Sequence, residues 1–179
     1  MWVVVLFELV GEGTIRVTLE EAEVALLRRI PGELQAVYQG TEPDPARDRL
    51  FPRPYLDPTE EQAEEQWNAL VVPELLRERL DGLNAVLRTL DRGTVVTTVS
   101  GREQIELTLG PEDLNLWLGV LNDARLTLGS RLEITDDTSH REQWELPPDD
   151  PATPARAAYR WLTELQELLV ETMLETLPD

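Results

Sequence analysis

Apolar residues recur along two stretches of the chain at alternating intervals of three and four. Leucines follow this spacing over residues 76–90, and apolar residues follow it over residues 111–132, which is the pattern of one buried helix face. Proline stands near the start of each stretch, at Pro73 and Pro111, where the first turn of a helix tolerates it. We therefore predict helices within residues 58–90 and over 111–132 that pack against each other.

Other segments alternate at two residues or are almost wholly apolar, which is typical of strands. Residues 2–10 predict a strand buried on both faces, followed by a turn and a return strand over 14–17. Residues 94–99 and 103–109 predict a second hairpin. The run Ile105–Leu109 echoes Ile15–Leu19, so we expect the two hairpins to join in one antiparallel sheet.

Polar and proline-rich segments separate these elements. Thr18 and Glu21 predict a capping box for a helix that is broken at Pro31 and then resumes as far as Gly40. Residues 41–56 and 133–153 predict loops or linkers, and Thr153 is predicted to cap a last helix that has Pro154 at its first position. The fold class is α+β and mainly α-helical: a single domain, 1–179, with a helical bundle and a small antiparallel sheet from two β-hairpins.

Arg125 lies where an apolar side chain is expected. It follows Leu118 by seven residues and precedes Leu132 by seven, so all three share one helix face. An unpaired charge buried on that face would cost several kcal/mol. Asp123, by contrast, is predicted to point away from the face into solvent.

Two hypotheses account for Arg125. In the first, it forms a structural ion pair with a carboxylate of a neighbouring helix, for which Glu60 and Glu64 are the candidates, because a guanidinium suits bidentate pairing with a carboxylate. In the second, Arg125 lines a pocket that binds a small anionic ligand, with Asn122 at its margin. The last helix leaves a similar choice, since its broad apolar coverage predicts either deep packing or a homodimer interface.

Charge and composition narrow the function classes. The net charge is −19, with 35 acidic and 16 basic residues, so direct binding to nucleic acid or to anionic membranes is disfavoured and a protein partner with a basic surface is favoured. The absence of cysteine excludes disulfides and thiol chemistry. The first residues predict neither a signal peptide nor a membrane span, which indicates a cytoplasmic protein.

Catalytic groupings are weak, and no cofactor or metal site is predicted. Asp136, Asp137 and the single histidine, His140, are suitable metal ligands, but no second motif supports them. Ser139 has no nucleophile elbow around it. A carboxylate-based, metal-dependent enzyme is therefore the last of the alternatives.

One run also carries a family resemblance. Leu121 to Leu132 reads Leu-Asn-Asp-x-Arg-Leu-x-Leu-Gly-x-Arg-Leu, with Trp117 ahead of it and Tyr55-Leu56-Asp57 upstream. This pattern resembles a bacterial domain-of-unknown-function family that includes the actinobacterial oxidative-stress regulator AosR. The resemblance covers nearly the whole chain and implies a regulator of the transcription or proteolysis machinery. AosR-like control through a cysteine pair is excluded here, because this chain has none.

From these observations we expect a non-catalytic protein-interaction or regulatory domain, with the ligand-binding module around Arg125 as the alternative.

Overall fold

The computed structural model describes residues 5–11, 13–52, 61–134 and 149–175. Within these ranges the chain forms four strands and six helices, which confirms a mainly helical α+β fold. In chain order they are β1 (Leu6–Gly11), β2 (Thr14–Leu19), α1 (Glu21–Gln39), α2 (Pro45–Leu50), α3 (Glu61–Leu70), α4 (Val72–Asp91), β3 (Thr94–Thr97), β4 (Glu103–Leu109), α5 (Pro111–Arg131) and α6 (Thr153–Leu174).

The four strands form one antiparallel sheet in the order β1-β2-β4-β3. The two hairpins meet where β2 pairs with β4, with Val17 opposite Leu107. Alternate residues of β2 (Ile15, Val17 and Leu19) are fully buried, and the intervening residues are partly exposed. One face of the sheet therefore packs on the helices, and the prediction that the two hairpins share a sheet is confirmed.

Among the described strands, β1 lies at an edge of the sheet and pairs with β2. Leu6, Leu9 and Val10 are exposed. The prediction of a strand buried on both faces is therefore wrong, since five of the six residues of β1 are exposed. Trp2 and the other residues before position 5 lie outside the described part of the chain.

Helix α1 runs without interruption through Pro31, which corrects the predicted break. Proline removes one helical hydrogen bond, but Leu27, Ile30 and Leu34 are buried on both sides of it. Burial of this face offsets the missing bond. The helix begins after Glu20 rather than Thr18, since Glu20 and Glu23 form a capping box there and Thr18 belongs to β2.

The predicted loop over residues 41–56 contains a short helix, α2. The Asp44 side chain accepts a hydrogen bond of 2.8 Å from the backbone N–H of Ala46 and so caps it. The sequence reasoning overlooked an aspartate directly before proline, which is a common helix start. Of the second predicted loop, 133–153, residues 135–148 are outside the described part. Helix α6 begins at Thr153, one residue before the predicted start, and its N-cap is Ala152.

Helix α5 holds the helices together. It packs against α4, α6 and α2, as predicted for the first two. Its buried residues extend beyond the leucine stripe to Val120, Ala124 and Thr127. Leu118 and Leu128 are only partly buried. The buried surface of α5 is therefore broader than the leucine stripe and turned relative to it. As a result, polar residues of α5 that lie outside the stripe are also buried.

Candidate functional site

Helix α5 brings a carboxylate into the core. Asp123 lies three residues after Val120 and four before Thr127, both buried, so it shares their face. Its side chain is 7% exposed and forms an ion pair with Arg79. It also accepts a hydrogen bond of 2.7 Å from the hydroxyl of Tyr38. The prediction of a solvated Asp123 is wrong, because that prediction considered only the leucine stripe.

Arg79 is held in place by α2 and the residue that follows it. Its guanidinium donates a 3.0 Å hydrogen bond to the carbonyl of Leu50 and lies 5.0 Å from the ring centre of Phe51 and 5.8 Å from that of Tyr38. Cation–π contacts of this kind are attractive and strengthen as water is excluded. Tyr38, Arg79 and Asp123 therefore join α1, α4 and α5 and hold α2 against them.

The same surroundings set the chemistry of Tyr38. Burial raises the pKa of its hydroxyl, and the negative charge of Asp123 raises that pKa further. Tyr38 thus remains a protonated donor to Asp123. A cleft of about 230 Å³ opens beside this cluster, lined also by Glu78, Asn115 and Gly119. Because the polar groups of Tyr38 and Asp123 are engaged with each other and with Arg79, the cluster acts as a structural anchor.

Arg125 lines a different cleft, of about 250 Å³, between α5 and α6. Gln166, Glu167 and Glu171 share it, and Asn122 does not line it. Within the described residues, Nε of Arg125 and Oε1 of Gln166 are buried without a hydrogen-bond partner. The two glutamates bring carboxylates to the cleft that the sequence reasoning did not consider.

Neither hypothesis for Arg125 is tested by this arrangement. Glu60 and the side chain of Glu64, the two predicted partners, lie outside the described part of the chain. The ion pair of Arg125 with Glu60 or Glu64, and the anionic-ligand pocket of Arg125 and Asn122, stay predictions.

A second buried carboxylate joins α1 to α6. One oxygen of Glu23 accepts a 3.0 Å hydrogen bond from the indole N–H of Trp161, and the other accepts a 2.8 Å bond from the backbone N–H of Glu20. Burial raises the pKa of Glu23, although both hydrogen bonds oppose that rise. A similar contact joins α5 to α4, where the indole of Trp117 donates to Thr89 at 2.8 Å.

A groove of about 480 Å³ lies between α1, α5 and α6, and the sequence reasoning did not predict it. Its lining is mostly apolar and includes Leu26, Ile30, Ala124, Leu128 and Ala158. The only sequence signal that could have indicated it is the set of alanines at helical spacing on α6, which leave space between packed helices.

Among the described residues, no three His, Asp or Glu side chains come together as a metal site would require. Asp136, Asp137 and His140 are outside those residues. No helix in the described ranges is long and apolar enough to span a membrane.

Comparison with known proteins identifies the family of this chain. A family model for DUF2017, a domain of unknown function, matches residues 6–173. The oxidative stress regulator AosR of Mycobacterium tuberculosis (strain H37Rv) is 34% identical over 143 residues, which covers 73% of this chain and 59% of that protein. AosR of Mycobacterium bovis has the same identity and coverage.

An AosR relative of Mycobacterium leprae is 32% identical over 143 residues, or 74% of this chain and 60% of that protein. The chain therefore spans about three fifths of the length of these relatives. No solved structure matches.

Proposed function

The chain belongs to the DUF2017 family, and from that premise we propose that it is a regulatory protein that acts by binding another protein rather than by catalysis. The observation that carries this proposal is the similarity to the AosR proteins, whose name is oxidative stress regulator, over 73% of the chain. Since those relatives are longer, their whole activity is not transferred.

The mode of regulation differs from thiol sensing. These 179 residues contain no cysteine, so no thiol within them is oxidised or forms a disulfide. Regulation therefore depends on which surface meets the partner and on the affinity of that contact.

The α3 surface, defined as Trp67 and Leu70 with the flanking acid Glu65, is the contact region that we propose. Leu70 is 77% exposed and Trp67 is 39% exposed, and α3 packs mainly on α4. Tryptophan is enriched among residues that dominate binding energy. An apolar centre beside an acidic residue, on a protein of net charge −19, suits a partner whose own apolar patch has basic residues around it.

The charge of the molecule supports the same choice of partner. A net charge of −19 attracts a basic protein surface and opposes self-association, because two copies repel each other. Attraction of this kind weakens as salt is added, since the screening length falls from about 10 Å at 0.1 M to about 3 Å at 1 M. A homodimer is the competing outcome.

Affinity capture of the tagged protein from a lysate of its source organism, at low and high salt, tests the proposal when read by mass spectrometry. We expect one stoichiometric basic partner that is depleted at high salt and lost with Leu70→Ser. Leu174→Ser is the matched control, because Leu174 is also an exposed leucine at 60% but lies on α6. Recovery of the protein alone, or only with itself, would overturn the proposal.

If a partner is captured equally by both serine variants, regulation through a partner stands and the α3 surface is the wrong location for it.

A further inference from the structure

The groove between α1, α5 and α6 remains open because of how the three helices meet. Helices α1 and α6 both contact α5, and the hydrogen bond between Glu23 and Trp161 joins them to each other. The facing residues along part of their length are small, among them Ala124, Ala155 and Ala158. Alanines at these positions leave a volume of about 480 Å³, which lies within the range of small-molecule sites.

One polar side chain of the groove has no hydrogen-bond partner among the residues that the structure describes. Thr127 of α5 lines it and is only 4% exposed, and within the described residues its hydroxyl oxygen has no hydrogen-bond partner. Buried hydroxyl groups are almost always hydrogen-bonded. Rotation about χ1 exchanges the hydroxyl and methyl of a threonine between staggered positions, so Thr127 can turn its hydroxyl towards a group that enters the groove.

The charged residues of the groove cancel each other. Arg29 and Glu33 both line it and form an ion pair at 3.3 Å. The groove therefore offers no net charge to a ligand. Because the protein as a whole carries −19, an anionic molecule is repelled and gains no free cation in the groove to compensate.

We propose that this groove binds a small, uncharged, mainly apolar molecule that carries one hydroxyl or carbonyl group. The apolar part displaces water from the alanine- and leucine-lined walls, and the polar group forms a hydrogen bond with Thr127. This site is separate from the α3 surface, and its test uses no protein partner, so the two proposals succeed or fail independently.

The experiment is a titration of the isotope-labelled full chain with octanol, followed by two-dimensional NMR, with octanoate as the charged probe of equal chain length. We expect saturable octanol shifts concentrated at the groove, and octanoate binding weaker by about tenfold or more. Thr127→Val keeps the side-chain shape but removes the hydroxyl, so octanol should bind about two- to tenfold more weakly, as expected for one hydrogen bond.

Ala158→Phe fills the groove and should abolish octanol binding. Ala25→Phe is the control, because Ala25 is an exposed alanine of α1 that does not line the groove. Thermal unfolding establishes that each variant is folded before it is titrated. Octanol shifts scattered over the surface, equal affinity of Ala158→Phe and Ala25→Phe, or tighter binding of octanoate than of octanol would each overturn the proposal.

Discussion

Replacement of Asp123 by asparagine should strongly destabilise the protein. The substitution nearly preserves the shape of the side chain, but an asparagine carries no charge to pair with Arg79. The side chain of Arg79 is only 24% exposed, so its guanidinium stays mostly out of water beside two aromatic rings. Removal of one partner of a buried ion pair typically costs about 3–5 kcal/mol.

The arrangement around Arg79 decides where in that range the effect lies. Arg79 keeps its hydrogen bond to the carbonyl of Leu50, and asparagine still offers an oxygen to Tyr38. We therefore expect the lower end, about 3 kcal/mol, for Asp123→Asn. Asp123→Ala also leaves the buried hydroxyl of Tyr38 without an acceptor, which adds about 1–3 kcal/mol. Because domains are commonly stable by only about 5–15 kcal/mol, the alanine variant should be close to unfolding.

Urea unfolding followed by tryptophan fluorescence measures the difference. The matched control is Asp91→Asn, since Asp91 pairs with Arg28 at 2.6 Å and also joins α4 to α1, but both side chains are exposed, at 66% and 44%. Exposed ion pairs contribute little, so this control should unfold near the wild-type midpoint. If Asp123→Asn and Asp91→Asn unfold at the same urea concentration, the reasoning about buried pairing is wrong.

Three further changes test other contacts by the same unfolding assay. Thr89→Val should cost about 1–3 kcal/mol, because it leaves the buried indole N–H of Trp117 without an acceptor; an unchanged midpoint would contradict this. Because the pKa of Glu23 is raised, the folded protein binds the proton of this carboxyl group more tightly than the unfolded chain does. Protonation of Glu23 therefore increases the free energy of unfolding. This increase is complete below the unfolded pKa of 4.5 and is lost as the pH rises through the folded pKa. Glu23→Gln should abolish this loss of stability with rising pH. The measurement compares the unfolding free energies of the variant and the wild type at several pH values. Gly93→Ala should cost about 1–3 kcal/mol, because a Cβ there would lie 2.7 Å from a methyl of Ile105; equal midpoints would show that the neighbours move aside freely.

The elements predicted correctly are those that local patterns determine. The spacing of leucines over 76–90 and of apolar residues over 111–132 corresponds to α4 and α5, because a helix repeats every few residues and needs no distant contact to be recognised. The alternation over 103–109 corresponds to β4 for the same reason. The edge position of β1 and the continuity of α1 through Pro31 were missed, because both depend on what packs beside them.

The polar cluster was missed for a related reason. Asp123 is separated from Tyr38 by 85 residues and from Arg79 by 44, and neither separation leaves a local mark in the sequence. A single arginine on an apolar stripe led instead to Arg125. A broader search of α5, which weighed every polar residue beside Val120 and Thr127 as well as the leucines, could have included Asp123 among the candidates.

The hydrogen bonds of the buried carboxylates limit which residues are available to bind a ligand or a partner. Oδ2 of Asp123 accepts hydrogen bonds from Tyr38 and Arg79 of other helices, and the two carboxylate oxygens of Glu23 accept one each from Trp161 and from the helix start. A carboxylate held in this way stabilises the fold and is poorly placed to exchange protons with a substrate, because each such bond would first have to break. Unused binding capacity among the described residues remains at the exposed α3 surface, at the groove lined by Thr127, and at the cleft where Nε of Arg125 and Oε1 of Gln166 have no hydrogen-bond partner. We propose recognition at the α3 surface and at the groove, and the helices that Asp123 and Glu23 hold together are the rigid support of both.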